Sequence, residues 1–158
     1  MITLRPLQTK DRDGILTILA SKNIFTKQEL EVAAELIDIT LADPDKEEYI
    51  INCAVDADDH VAGYICYGEI PMTDGRYDLY WIAVSDSCAR QGVGAKLLYY
   101  MENQTRKRGG KRVYIDTSST QGYLAARSFY ERNGYQVACI LEDFYRSNDH
   151  KLIFMKQL

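Results

Sequence analysis

The chain has 158 residues, 46% of them hydrophobic, enough to bury one core, and a single domain over 1–158 is expected. Nineteen Lys and Arg against 23 Asp and Glu leave a formal net charge of −4, which argues against a general nucleic-acid partner. Cys53, Cys66, Cys88 and Cys139 are widely spaced without a CxxC pair, and His60 and His150 stand alone in expected turns. No metal site is therefore expected. The thiols read as small core residues in a reducing compartment, and without a visible signal peptide or membrane-length apolar run the expectation is a cytoplasmic chain with no membrane partner.

In chain order, Ile2-Thr3-Leu4-Arg5-Pro6-Leu7 alternates as a first strand, with Pro6 marking an edge or an end. Thr9 or Asp11 is placed to cap a helix carrying Ile15, Leu16, Ile18 and Leu19. The second helix starts more clearly, because Thr26-Lys27-Gln28-Glu29 is a capping box. Leu30, Ala33, Ala34, Ile37 and Leu41 follow at helical spacing until Asp43-Pro44-Asp45. From Glu48 the period becomes two. Tyr49–Val55 and Val61–Tyr67 flank Asp56-Ala57-Asp58-Asp59-His60, a hairpin whose acidic run reads as a solvated turn. A looser connection through Pro71, Asp74 and Gly75 leads into a fourth strand, so strands two to four form an antiparallel meander.

The fourth strand, Asp78 to Val84, runs into a polar loop holding Gly92 and Gly94 and then an amphipathic helix with Leu97, Leu98, Met101 and Thr105 on one side. Strand, glycine loop and helix together form an anion site. Missing Cβ atoms let the backbone approach a ligand, and the unpaired N–H groups of the first helical turn converge with the positive end of the helix dipole. A phosphate or pyrophosphate fits there. A Walker loop is excluded, since Ala95 and Lys96 follow Gly94 where Lys and Ser/Thr are required. A dinucleotide fold stays open at this point, with Asp116 about where its ribose-binding acid would fall. Arg106, Lys107 and Arg108 close the helix and Gly109-Gly110 ends it. The strand Arg112–Thr117 then runs parallel to strand four across a βαβ crossover. A short helix, Leu124 to Asn133, is closed by Gly134. Strand Tyr135–Leu141, a turn at Ser147-Asn148-Asp149 and a last strand Lys151–Met155 complete the chain.

Ile82-Ala83-Val84 followed by Arg90-Gln91-Gly92-Val93-Gly94 and the Leu97-Leu98 helix resembles the acetyl-CoA-binding motif of the GNAT N-acetyltransferase superfamily. Ala126-Arg127-Ser128-Phe129-Tyr130-Glu131-Arg132-Asn133-Gly134-Tyr135 resembles that family's second signature, Ala-x-x-Phe-Tyr-x-x-x-Gly-Phe/Tyr. The resemblance implies an α/β (α+β) fold: a mixed, mostly antiparallel seven-stranded sheet with about four helices, splayed between strands four and five by a bulge near Ile82-Ala83-Val84. It further implies acetyl-CoA as cosubstrate. Pantetheine would bond the unpaired backbone of Ile82, Ala83 and Val84, and pyrophosphate the N–H groups from Arg90 through Gln91, Gly92, Val93 and Gly94 to Ala95. Tyr123 and Ala126 would lie along the cofactor, with Lys96 or Arg127 toward its 3′-phosphate.

In such a site a neutral amine attacks the thioester carbonyl. An amine of pKa ~10 is mostly protonated at neutral pH, so a carboxylate must take its proton directly or through water. Asp78, placed by period-two alternation on one strand face with Tyr80 and Ile82, is the candidate base, with Glu69 and Glu142 in reserve. Tyr130 stands at the family's position for the donor to the leaving thiolate. A backbone N–H between Ile82 and Val84 would meet the oxyanion. Phe25, Tyr67, Tyr77, Tyr80, Phe144 and Tyr145, with the acids Glu69, Asp74, Asp78, Glu142 and Asp143, are expected near the acceptor mouth; of these Phe25, Glu69, Tyr80 and Tyr145 are the candidate substrate contacts. The expected function is acetyl transfer to a small-molecule or peptide amine in a ternary complex, by a monomer or homodimer. A catalytically silent acyl-CoA-binding module and a small nucleotide-binding Rossmann-type domain are the alternatives.

Overall fold

Period-two segments and capped amphipathic segments assemble into one mixed sheet flanked by helices in the computed structural model, which describes residues 1–158. The order is β1 (Thr3–Pro6), α1 (Arg12–Ser21), α2 (Lys27–Ala42), β2 (Ile50–Val55), β3 (Val61–Glu69), β4 (Arg76–Val84), α3 (Val93–Lys107), β5 (Arg112–Ser118), α4 (Leu124–Arg132), β6 (Gln136–Arg146) and β7 (Asp149–Gln157). The strands lie as β1-β2-β3-β4-β5-β7-β6, antiparallel everywhere except between β4 and β5. A doubly wound parallel sheet, which the dinucleotide reading needs, is not present. No helix is long and apolar enough to cross a membrane.

Each face of the sheet carries its own core. Leu97, Leu98 and Met101 of α3 pack on Ile65, Leu79, Val113, Ile115 and Phe154. Ile15 and Leu19 of α1 and Ile37 of α2 pack on the other face against Ile51, Cys53, Tyr64 and Cys66. Two cysteines are thus core residues, whereas Cys88 is only partly buried and Cys139 is exposed, because β6 at the sheet edge has no helix over it.

Local chemistry explains most element boundaries. Thr26 Oγ1 accepts from Glu29 N (3.2 Å) while Glu29 Oε2 accepts from Thr26 N (2.6 Å), the expected box at the start of α2. At α1 the expected side-chain cap is absent. Asp11, 1% exposed, instead accepts two hydrogen bonds from the Arg5 guanidinium (2.7 and 2.9 Å) and one from Gln8 N (2.8 Å). Burial works against its charge, but these bonds outweigh it and hold the carboxyl below its usual range. A bidentate guanidinium delivered by β1 competes better for the carboxylate than a helix N–H.

The acidic hairpin is closed by Asp56 Oδ1, which accepts from the N–H groups of Asp58 and His60 (both 2.9 Å); His60 therefore sits with Asp56 and Asp58, all three ligand atoms within 4.8 Å, rather than alone. His150 lies in β7, not in a turn, where its Nδ1 accepts from Asp143 N (2.9 Å). The last hairpin is tighter than expected, since β6 continues to Arg146 and only Ser147-Asn148 turn the chain. Between Leu141 and Arg146 the β6–β7 register breaks and Asp143 adopts a φ of 52°, which re-aims Phe144 and Tyr145.

Candidate active site

Only the first four residues of β4, Arg76–Leu79, pair with β5, opposite Arg112–Ile115. β5 continues as far as Ser118 on the β7 side, so from Tyr80 onward β4 and β5 part. Ser85 N donates to Ala62 O (2.8 Å), and antiparallel alternation then turns the N–H and C=O groups of Ile82 and Val84 away from β3 and into the gap. These groups are what an amide-bearing ligand arm needs.

The bulge behind the splay is at Tyr80, two residues before the expected place. Cys66 stands opposite Trp81 but Tyr67 stands opposite Leu79, leaving Tyr80 as the extra residue. An extra residue resets the alternation. Tyr77 and Leu79, then Ile82 and Val84, face the α3 core, while Trp81 and Ala83 face the α1/α2 side. Asp78, between Tyr77 and Leu79, consequently points to the face opposite Ile82, which corrects the shared face expected from strict alternation. Room for the Tyr80 ring comes from Gly68, where a Cβ would lie 3.3 Å from that ring and 2.5 Å from Glu48 O. The ring meets Tyr49 edge-on at 5.5 Å.

The phosphate loop departs in detail from its sequence reading. Arg90 (φ 62°) and Gly92 (φ 76°) adopt left-handed backbone, and Gly92 is the N-cap of α3 with no side-chain hydrogen bond capping the helix. The N–H groups of the first turn are left for a ligand, and Gly92 is required by conformation. Gly94 already lies inside the helix. A Cβ there would stand 3.4 Å from the Phe129 ring and 3.7 Å from Val84 Cγ2, ordinary contact distances, so neither backbone conformation nor packing requires glycine at 94. Val93 is core, while Arg90, Gln91, Gly92 and Ala95 are exposed around the helix start. Lys22, at the end of α1, holds the loop through Asp86 (2.6 Å).

Tyr130, 8% exposed, is packed by Phe129 (5.7 Å), Tyr135 (6.3 Å) and Phe154 (5.7 Å). Burial pushes its phenol up to about 12, so it is a proton donor at neutral pH. Ala126 packs on the same core. Tyr123, which caps α4, is partly buried, with its phenol raised by that burial. Arg127 Nη1 donates to the carbonyls of Ser118 (2.8 Å) and Thr120 (2.7 Å), clamping the end of β5 to the turn before α4.

On the acceptor side, burial pushes the Asp78 carboxyl up to about 6, with Asp116 adding to the shift and Lys151 opposing it. Asp116 and Lys151 form an ion pair (2.8 Å), and the Lys151 ammonium lies 4.6 Å from the centre of the Phe144 ring. Sequence reasoning did not place Asp116 or Lys151 in this site. Their period-two positions on β5 and β7 become informative only once the register sets Ser118 opposite Lys151 and Tyr114 opposite Asp78. Tyr145 belongs to the group, since its phenol feels Lys151 and Asp116. Phe25 meets Trp81 edge-on at 5.1 Å, and Ile24 beside it reaches the turn at Gly122, so the α1–α2 connection walls the site.

Four expected neighbours lie elsewhere. Tyr67 and Tyr77 are buried in the α3 core, Glu69 stands opposite Tyr77 on that same face, and Asp74 pairs with Lys111 (2.7 Å) at the far end of β4. For Tyr67, Tyr77 and Glu69 the bulge at Tyr80 is the reason, since it separates the faces that an unbroken strand would have shared, whereas Asp74 lies before β4 begins.

Residues 13–135 match the family model described as the acetyltransferase (GNAT) family. No curated protein matches the sequence. Among solved structures, a GNAT-family protein from Desulfovibrio desulfuricans is 35% identical, with a TM-score of 0.95 and 99% of each chain covered. An aminoglycoside 6'-N-acetyltransferase complexed with coenzyme A is 19% identical (TM-score 0.75, 98% of this chain and 96% of that one). The ribosomal-protein-S18-alanine N-acetyltransferase of Escherichia coli is 22% identical (TM-score 0.75, 99% and 94%). A parallel junction that opens after four rungs, an uncapped helix start beside it and a family model covering both signatures lead to one conclusion: the chain belongs to the GNAT acetyltransferase family, and it is an acyltransferase.

Proposed function

We propose that the protein transfers an acetyl group from acetyl-CoA to a primary amine, by direct attack within a ternary complex. The observation that carries this is the splay, which leaves outward-turned backbone groups of Ile82 and Val84 unpaired, with Tyr130 in the core these two pack on and Asp78, its carboxyl raised to about 6, on the opposite face of the strand. The backbone of Ile82 and Val84 holds the pantetheine amides, and the N–H groups from Gly92 to Ala95 hold the pyrophosphate. Asp78 accepts the amine proton, through water where the distance requires it. One of the two outward N–H groups hydrogen-bonds the oxyanion of the tetrahedral intermediate. Tyr130 then donates its proton to the departing thiolate.

The acceptor is a cationic amine with some apolar body. Asp78 and Asp116 favour the charge, and Tyr80, Phe144, Tyr145 and the Phe25–Trp81 pair line the way in. Acetyl-CoA turnover against a panel of amino sugars, polyamines, lysine-containing peptides and peptide N-termini tests the reading. Release of CoA dependent on one amine class is expected. Binding of acetyl-CoA with no turnover on any class would instead mark a silent binding module.

A further inference from the structure

At the opposite end of α3 from the phosphate loop, about 20 Å away along a 15-residue helix, a cavity of about 540 Å³ opens between the last turns of α2 and α3, the edge strand β1 and its neighbour β2. Asn52 and Tyr67 line it. Tyr67 Oη donates to Asn52 Oδ1 (3.1 Å), and burial keeps that phenol protonated. Asn52 is 5% exposed, and its Nδ2 makes no hydrogen bond within the protein. Tyr64 Oη is the only buried side-chain nitrogen or oxygen that is both sealed and unpartnered, so Asn52 Nδ2 is not sealed; it opens into the cavity. A donor that opens into the cavity without a partner in the protein is free to bond a ligand there.

Beside that donor stands an acceptor, since the Tyr67 oxygen keeps a lone pair after donating its own proton. Leu7, Leu41, Pro44 and Tyr100 supply apolar walls. At the rim Arg108 and Glu47 pair at 3.0 Å and cancel each other's charge. The lining offers no net charge to a ligand, but it offers adjacent donor and acceptor groups at Asn52 and Tyr67, with Gln8, Thr9, Thr40 and Gln104 as further polar side chains around them. That combination complements a carbonyl and an N–H carried by one molecule.

We propose that this cavity is a second small-molecule site, taking neutral molecules that carry a cis amide, such as a lactam, whose carbonyl accepts from Asn52 Nδ2 and whose N–H, on the same side, donates to Tyr67 Oη. The site rests on the cavity alone and stands whether or not the splay acetylates amines.

The test is a titration of the ¹⁵N-labelled protein with 2-piperidone, following the side-chain NH₂ resonances of Asn52 and the backbone amides of Leu7, Leu41 and Tyr67, with δ-valerolactone, which lacks the N–H, and n-butylammonium as comparators. A saturable shift is expected at millimolar concentration. δ-Valerolactone should bind at least about threefold more weakly, and the ammonium should give no saturation. Asn52→Leu should abolish the response. Tyr67→Phe, which keeps the Asn52 donor, should abolish the preference for amide over ester, and it decides the matter if the Asn52 variant does not fold. Absence of saturation, equal response to amide and ester in the unaltered protein, or an unchanged preference in Tyr67→Phe would each overturn the proposal. So would shifts confined to residues of the splay.

Discussion

The first four residues of β4 and the last five belong to one strand but behave as two. Arg76–Leu79 spend their backbone on β5 and bury Tyr77 and Leu79, whereas Tyr80–Val84 have β3 on one side and nothing on the other. A sheet interior normally leaves no backbone group unpaired, so an unpaired edge inside a seven-stranded sheet persists only if something else holds the strands apart. Here β5 is held by β7 through Ser118 and by the Arg127 clamp, while β4 is held by β3 and the bulge at Tyr80. Rigidity in the paired half and at both outer edges makes open backbone available in the other half.

Truncation on either side of the bulge should expose this difference most strongly. Leu79→Ala removes a buried side chain from the last paired rung and should cost roughly 2–5 kcal/mol in chemical denaturation. Ile82→Ala, three residues on but only partly buried, should cost less than about half as much, with its main effect on acetyl-CoA affinity. Equal costs would mean that the two halves are one cooperative surface.

Tyr130→Phe keeps the ring among Phe129, Tyr135 and Phe154 and removes the donor. A fall in kcat of about ten- to a hundredfold, with cofactor affinity nearly unchanged, is expected. If kcat stays at the wild-type value with chemistry rate-limiting, Tyr130 is a packing residue.

Asp78 gives a pH signature. Its carboxyl is raised from 3.8 in the unfolded chain to about 6 in the fold, so between those values the native state binds more protons and stability falls as pH rises. Above about pH 6 the ionised group is a standing cost to the fold. Asp78→Asn should match the wild type below pH 3.8 and exceed it at pH 7 by about 1 kcal/mol, solvent access reducing the effect of the full shift. The same variant should lose the acidic limb near pH 6 in kcat/KM and recover activity at high pH, where more amine is already neutral. A wild-type profile in Asp78→Asn, with loss in Glu142→Gln, would move the base to β6.

The smallest effects separate the two loop glycines. Gly92→Ala forces a Cβ onto a φ of 76° and should cost about 1 kcal/mol, shared between stability and acetyl-CoA binding. Gly94→Ala meets Phe129 at ordinary contact distance and should change either by less than about 0.5 kcal/mol. A larger loss of acetyl-CoA affinity from Gly94 than from Gly92 would assign the close ligand approach to Gly94.

Much of this architecture was legible in the chain itself. Local rules decide the capping box at Thr26, the hairpin at Asp56–His60, the meander of β2 to β4 and the crossover through α3, because each rests on residues close in sequence. The two signatures, around Gly92 and Tyr130, are likewise continuous segments, and they lead to the family without the fold.

What tertiary structure alone decided are the facts that need two distant segments at once. The bulge at Tyr80 depends on how β3 registers on β4, and it moves Asp78 to the face opposite Ile82 and leaves Glu69 with Tyr77. Asp116 and Lys151 join Asp78 only through the pairing of β5 with β4 and β7. Asp11 forgoes its cap because Arg5 arrives from a neighbouring strand, and Gly94 comes to face the Phe129 ring because α4 folds back on α3. Sequence patterning sets which residues alternate. Register sets which of them meet, since a shift of a single residue exchanges the two faces of a strand.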